Sequence, residues 1–307
     1  MRGQQVAYQG DVDRYRNKRD SFLHRNCPGC ESKSSYFFSV HEDFQFTRCA
    51  ACFTVFMNPG PTEEIVADLY ANSTNYAYWA EVIYPNTREA RRKTLHKERA
   101  HFVLKSVEKL LNQKSIRVLE LGAGTGDSMA VLRKEAGIEV HGYAIEPNPS
   151  MWESLKVNGV NIVTAYEEIA EQKFDLIIAY EVMEHILEPR LFVNSYKKLL
   201  STNGYFLFST PNAHSLEVQI LKDQSTTLDI EHISVLTPSA IHSIAGFAGL
   251  EVVEITTPGK FDMELIGNEI SWIKENFSDA KIAEFQDSIS HLCFSSHMKV
   301  VMKPLEN

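Results

Sequence analysis

From about residue 113 onward, short apolar runs alternate with amphipathic stretches. The runs at 116–121, 139–145, 160–163, 174–180 and 203–209 read as strands. The stretches at 127–136, 149–157, 165–170 and 189–200 carry helical spacing. Strand and helix in alternation predict an α/β fold with a mainly parallel sheet and right-handed crossovers. Beyond it, Thr237 reads as an N-cap and Pro238 as the first residue of a helix over 238–248 that ends at Ala248-Gly249. A strand is expected at 250–256, a helical stretch from about 264 to 288, and a last strand at 297–302.

The N-terminal third has a different texture. Residues 1–26 are polar and charged, which predicts a frayed or partly helical arm. Residues 27–60 hold short aromatic and β-branched runs between two cysteine pairs and end in the turn Asn58-Pro59-Gly60-Pro61. Thr62 looks like an N-cap, with Glu63 and Glu64 in the first turn of a helix running to about Ala71. An aromatic segment follows, with Tyr76, Tyr78, Trp79 and Tyr84, then a basic amphipathic helix over about 86–112. The expected division is a polar arm (1–26), a zinc-binding ribbon (27–60), a helical and aromatic linker and lid (61–112), and the α/β domain (113–307).

The chain has 307 residues, 44% of them hydrophobic, enough for one large core and a smaller module. Its net charge of -9 argues against a nonspecific grip on nucleic acid, which needs basic surface. No apolar run approaches the roughly 20 residues that span a bilayer, and the polar start does not resemble a signal peptide. A cytoplasmic protein with no membrane partner is the expectation.

Four of the five cysteines fall between Cys27 and Cys52. Cys27-Pro-Gly-Cys30 and Cys49-Ala-Ala-Cys52 are knuckles 18 residues apart, within the spacing of a four-thiolate zinc site. Four thiolates fill a tetrahedral ion and leave no open position, so the zinc is expected to be structural. So short a segment cannot build its own core; a metal would add on the order of 10 kcal/mol. Cys293 stands alone and reads as a small apolar residue with no assigned role.

The stretch VLELGAGTG, Val118 to Gly126, is a strand ending in Gly122, Gly124 and Gly126, with a helix-compatible run behind it. Strand, glycine turn and helix present backbone amides to a nucleotide-like ligand. The spacing is Gly-x-Gly-x-Gly rather than the Gly-x-Gly-x-x-Gly of dinucleotide sites, which points to S-adenosylmethionine (SAM). Glu120 is the acid at the strand end. Glu146 lies 20 residues past Gly126, at the next strand tip, where an acid can accept both ribose hydroxyls. Tyr166 follows the third strand and is the candidate to lie against adenine.

With the fourth-strand motif FDLIIAYEVMEHILEP and the strand GYFLFSTPN, these residues resemble the class I SAM-dependent methyltransferases of the broad 11/12/23 type, over about residues 90–302. The resemblance implies a Rossmann-like sheet with helices on both faces. The cysteine module followed by NPGPTEEI resembles bacterial sugar- and polysaccharide-modifying methyltransferases. It implies O-methylation of a hydroxyl on a sugar, a nucleotide-linked sugar or a related polar metabolite. C-methylation of a nucleotide-linked keto sugar is the alternative. Metal-dependent 2′-O-methylation of RNA is a third, against which the acidic balance counts.

The fourth strand ends in Glu181-Val-Met-Glu184-His185, and Glu181 is expected both to touch SAM and to take part in catalysis. Two readings stand. In one, Glu181, Glu184 and His185 bind Mg²⁺ or Mn²⁺ with His232 of LDIEHISVLTP, as the resemblance to ubiquinone-pathway and small-RNA O-methyltransferases implies. In the other there is no catalytic metal, and His185 orients the loop or acts as a base. His214, after the fifth strand, is a weaker catalytic candidate. The basic residues Arg88, Arg91, Arg92, Lys93, Lys97 and Arg99 read mainly as a solvated helix face, with one free to meet the SAM carboxylate. Tyr76, Tyr78, Trp79 and Tyr84 read either as a lid stacking on substrate or as packing against the zinc module, the packing favoured.

Overall fold

The computed structural model describes residues 2–305. Eleven strands form: β1 (Ser35–His41), β2 (Phe44–Cys49), β3 (Val55–Met57), β4 (Ser115–Leu121), β5 (Glu139–Ile145), β6 (Asn161–Val163), β7 (Phe174–Tyr180), β8 (Leu200–Pro211), β9 (Ser234–Val235), β10 (Leu250–Thr256) and β11 (His297–Pro304). They make a seven-stranded sheet in the order β10-β11-β8-β7-β4-β5-β6 and a four-stranded sheet in the order β1-β2-β3-β9. The pairs β4–β5, β4–β7 and β5–β6 are parallel, and β10–β11 is antiparallel. No helix among the described residues is long and apolar enough to cross a membrane.

The chain forms two compact units. The first comprises the residues up to Ser21, Pro61–Tyr180 and Tyr196–Leu207. Its core is the central parallel sheet: Val118, Leu119, Leu176, Ile177 and Ala179 are fully buried, as expected of strands covered on both faces. Fully burying one such Leu or Ile is worth about 1.5–3 kcal/mol. The register pairs Leu121 with Ile145, so Gly122 and Glu146 leave neighbouring strands side by side. The N-terminal arm is a regular helix, Arg2–Asn17. It is fixed by Asp11, fully buried, which accepts hydrogen bonds from Ser73 Oγ (2.6 Å) and the backbone N–H groups of Thr74 and Asn75 (both 2.9 Å). The expected helix over 86–112 is broken into Tyr84–Arg91, a π-helical turn Arg92–His96, Lys97–Ser106 and a 3₁₀ turn Glu108–Asn112.

The second unit comprises Phe22–Gly60, Glu181–Ser195 and the residues from Phe208 onward. The β1–β2 hairpin turns through Glu42 and Asp43, both left-handed (φ 48° and 67°), the backbone a two-residue hairpin needs to match strand twist. Thr237 caps the helix Pro238–Ala248 by accepting from Ala240 N–H (3.1 Å), as its sequence predicts. Strand β9 was not legible: two residues carry no periodicity, and they pair only because β3 is there to receive them. The helical stretch expected at 264–288 is three helices, Asp262–Glu269, Ser271–Asn276 and Asp279–His291.

Candidate active site

In the first unit, β4 runs into a turn where Gly122, Gly124 and Gly126 all have positive φ (66°, 53° and 77°). A side chain at each would be strained there. Space beside Gly124 is open, while a Cβ on Gly126 would meet Leu155 at 2.8 Å. The space at Gly124 leaves room for a ligand, and the absence of a Cβ at Gly126 lets Leu155 of the helix Trp152–Val157 pack against the turn. Glu146, at the tip of β5, accepts from Gly124 N–H (2.7 Å) and Asn148 N–H (2.8 Å). Burial raises its pKa, and the two amides oppose that. Glu120 is buried, with Oε2 lacking a partner, and burial lifts its pKa to about 8 against the pull of Arg99. A buried carboxyl with one oxygen free of hydrogen bonds, beside an open glycine turn, fits the methionine end of SAM. Tyr166 begins a 3₁₀ turn after β6 and meets Tyr196 edge-on, ring centroids 5.9 Å apart.

A cavity of about 500 Å³ lies within this unit. One wall carries Thr125 of the glycine turn, Asn148 and Ser154; the other carries Tyr70, Tyr76 and Tyr84. Tyr70 and Tyr76 stack at 5.5 Å. Within the aromatic segment, Tyr76 and Tyr84 line the cavity, while Tyr78 packs on Gly3 and Trp79 receives Arg91. The reading of the basic run as a solvated face fails at Arg88 and Arg92. Both grip the buried Asp127, at 2.8 and 2.5 Å, and hold the first turn of the glycine-loop helix. His96 is buried beside it, with Nδ1 2.8 Å from Ser128 Oγ, and burial lowers its pKa to about 4.

The second unit assembles a different cluster. Glu184, His185 and His232 offer ligand atoms all within 4.8 Å of one another. Glu184 is fully buried; Oε2 accepts from Thr210 Oγ1 (3.0 Å), and Oε1 has no partner. His185 donates from Nδ1 to the Glu231 carbonyl (2.9 Å), and His232 donates from Nδ1 to the Thr227 carbonyl (2.8 Å). A carbonyl only accepts, so each ring is oriented with Nδ1 as the donor, the orientation found in metal-ligating histidines. Burial, then the neighbouring His232, lowers the His185 pKa to about 4, so this ring is neutral. Burial and Glu181 raise Glu184 to about 7. Burial works against the charged form of His232, but Asp229 and Glu184 prevail and raise it to about 9. The donor set of one carboxylate and two imidazoles fits a divalent ion.

Two sequence candidates lie outside this trio. Glu181 has a left-handed backbone (φ 55°) and turns its carboxylate to Ser209 Oγ and His297 Nε2 (3.1 Å). His214 packs on Phe53, ring centroids 5.5 Å apart, beside the second cysteine knuckle. Neither is among the ligand atoms that converge on Glu184.

The four knuckle sulfurs also lie within 4.8 Å of one another, with Cys27–Cys52 at 3.4 Å and Cys30–Cys49 at 3.6 Å. A tetrahedron of 2.3 Å Zn–S bonds has edges of about 3.8 Å. The two knuckles are built alike. In each, the residue after the second cysteine is left-handed, Glu31 at 63° and Phe53 at 64°. Its N–H bonds the carbonyl of the first, at 2.8 and 3.2 Å. The N–H groups of Ala51 and Cys52 point at Cys49 Sγ (3.3 and 3.4 Å).

Residues 95–255 match the methyltransferase 23 family, described as a methyltransferase domain. The chain belongs to this family. The sheet order agrees with a Rossmann-like methyltransferase fold. The methyltransferase is 27% identical over 142 residues to a ubiquinone biosynthesis O-methyltransferase of Paraburkholderia phymatum, over 43% of this chain and 57% of that protein. It is 28% identical over 142 residues to the enzyme of the same name from Actinobacillus pleuropneumoniae, over 43% and 58%. The chain thus spans little more than half the length of these relatives. A SAM-dependent methyltransferase structure from Clostridium acetobutylicum aligns over 73% of this chain and 100% of that one, with a TM-score of 0.47 and 10% identity.

Sequence reasoning missed Asp11, Arg25, His96 and Asp127. An acid at the start of the glycine-loop helix was a visible signal for Asp127, since acids favour a helix N-terminus. For Asp11, Arg25 and His96 no local pattern exists.

Proposed function

We propose that this chain transfers the methyl group of SAM to a hydroxyl of a sugar, a nucleotide-linked sugar or a related polar metabolite, in the cytoplasm. The observation that carries the reading is the convergence of ligand atoms of Glu184, His185 and His232 within 4.8 Å of one another, with Nδ1 of each ring held by a backbone carbonyl. The names of the relatives, O-methyltransferases, support oxygen as the acceptor atom. The sugar class rests on the likeness of the cysteine module to that of sugar-modifying methyltransferases. Zinc at Cys27, Cys30, Cys49 and Cys52 is proposed as structural.

Methyl transfer is an in-line displacement. The acceptor oxygen attacks the methyl carbon, the C–S bond breaks, and its electron pair returns to sulfur, leaving neutral S-adenosylhomocysteine. The glycine-turn amides and Glu120 would hold the methionine end, and Glu146 the ribose. Positioning of this kind is worth about 7–11 kcal/mol. Glu184, His185 and His232 would hold Mg²⁺ or Mn²⁺, which when bound lowers the pKa of an acceptor hydroxyl. Glu181, which contacts Ser209 and His297, would accept the hydroxyl proton.

Isothermal titration with SAM tests the donor; no binding would overturn it. For the acceptor side, enzyme treated with EDTA while retaining its zinc should lose activity and regain it with Mg²⁺ or Mn²⁺. Full activity without added ion would remove the metal from the reading.

A further inference from the structure

The cluster at Glu184 is built from two loops, Val182–Glu188 and Leu228–Ile233, with no strand of their own to hold them in register. What holds them is in the cysteine ribbon. Strand β9 follows His232 directly and pairs antiparallel with β3 of the ribbon, Val55 opposite Val235 and Phe56 opposite Ser234. Met57 N–H donates to the Ile233 carbonyl (3.1 Å). Thr237 donates its hydroxyl to the Cys52 carbonyl (2.5 Å), tying the residue after β9 to a knuckle cysteine. A Cβ on Gly29 would meet Thr54 Oγ1 at 2.7 Å and Ala240 Cβ at 2.8 Å, so the first knuckle needs glycine to seat on the helix Pro238–Ala248.

Besides the His185–Glu231 hydrogen bond, a side chain from the ribbon's approach joins both loops. Arg25, two residues before Cys27, donates from Nη1 to the Leu187 carbonyl (3.0 Å) and from Nη2 to the Ile233 carbonyl (2.5 Å) and Ser234 Oγ (3.2 Å). Its own backbone N–H is held by Asn58 Oδ1 (3.2 Å), and its guanidinium lies over Phe56, 5.5 Å from the ring centroid. Leu187 is two residues past His185, and Ile233 is the residue after His232. A planar fork with several donors can bridge two carbonyls at a fixed separation; a lysine ammonium on a flexible stem cannot. Burial lowers the Arg25 pKa to about 10, with Glu188 and Cys27 opposing, so the fork stays charged at neutral pH.

We infer that the cysteine ribbon serves as the template for the acceptor-side cluster, and that Arg25 is the positioning residue that sets the spacing of His185 and His232. This rests on the reading of those histidines and Glu184 as the reacting centre. The ribbon is then part of the catalytic architecture, acting through the two loops it holds.

The test uses the full, zinc-loaded chain with Arg25→Lys and Arg25→Gln, read three ways. In the unsubstituted protein, imidazole ¹⁵N NMR should show His185 as a single Nδ1-protonated tautomer. In the variants the tautomers should average, the Mn²⁺ dissociation constant should rise about tenfold or more, and kcat should fall about tenfold. SAM affinity should stay within twofold. Unchanged tautomer, Mn²⁺ affinity and kcat in variants that keep their zinc would overturn the inference. If no Mn²⁺ binds to the unsubstituted chain, the metal reading fails alone, and the tautomer and kcat still decide the role of Arg25. Should both variants lose zinc, Ser234→Ala removes one contact and leaves the guanidinium in place. A several-fold fall in kcat with the same tautomer averaging supports the inference, and no change in either overturns it.

Discussion

Glu146 and Glu184 both follow parallel strands, yet their surroundings differ. Glu146 is half-buried, and both its oxygens accept backbone N–H groups that come from its own turn and the neighbouring glycine turn. Glu184 is wholly buried, has one oxygen on Thr210 and the other 3.8 Å from His185 Nε2, and sits beside two histidines from separate loops. The first site is finished by the backbone of adjoining strands. The second is held by side chains and by a sheet outside the methyltransferase core. A site of the first kind tolerates loss of distant structure; a site of the second kind does not.

Removing the zinc should break that contrast most severely. Cys27→Ser, or stripping the ribbon with a chelator, removes stabilisation on the order of 10 kcal/mol from the segment that carries β3 and Arg25. Metal analysis should fall from about one zinc per chain to none, and methyl transfer should vanish. SAM binding by calorimetry should survive within about threefold. A fully active zinc-free chain would show that the two sites are supported alike.

Next in size are substitutions inside the cluster. Glu184→Gln and His185→Ala should each lower kcat by about 10²–10⁴-fold with little change in SAM affinity, the range expected for a positioned acid–base or ligand group. Glu146→Ala should do the reverse. It should weaken SAM binding by roughly tenfold to a hundredfold, the loss of charge-assisted hydrogen bonds, while kcat at saturating SAM changes less. If Glu146→Ala and Glu184→Gln moved the same constant, the division between donor and acceptor sites would be wrong.

The smallest effect is a pH dependence. Burial raises the Asp127 pKa, but Arg88, Arg92 and Asn158 outweigh it and hold the carboxyl below its ordinary value. A lowered folded pKa means the stabilisation is complete above the unfolded value, near 3.9, and is lost as pH falls through the folded value. Asp127→Asn should therefore cost about 1–2 kcal/mol at neutral pH and flatten the acid limb of a denaturation series below about pH 4. An unchanged acid limb would mean the pair with Arg88 and Arg92 adds no net stability.

Much of the donor site was legible because its contacts are local. The glycines alternate because a tight turn needs left-handed backbone at those positions, and Glu146 stands one strand away in a parallel sheet whose register is set by apolar runs. The knuckles were legible for the same reason: two residues between sulfurs is a geometric requirement of one ion. The basic face was misread at Arg88 and Arg92 because helical periodicity shows which way a residue points, not whether an acid waits there. The packed N-terminal helix was read as partly frayed because Asp11 finds its partners at Ser73, Thr74 and Asn75.

The chain's own order of residues therefore settles the parallel sheet, the glycine turn with its two acids, and the clustering of four cysteines. Each depends on neighbours within a turn or on one strand's repeat. Folding in three dimensions was needed to bring Glu184, His185 and His232 together, to add β9 to the ribbon, and to place Arg25 between Leu187 and Ile233. Those choices depend on groups up to 208 positions apart meeting at hydrogen-bonding distance. No periodicity along a chain records such a meeting, because it is selected by the shape of the packed elements rather than by the residues between them.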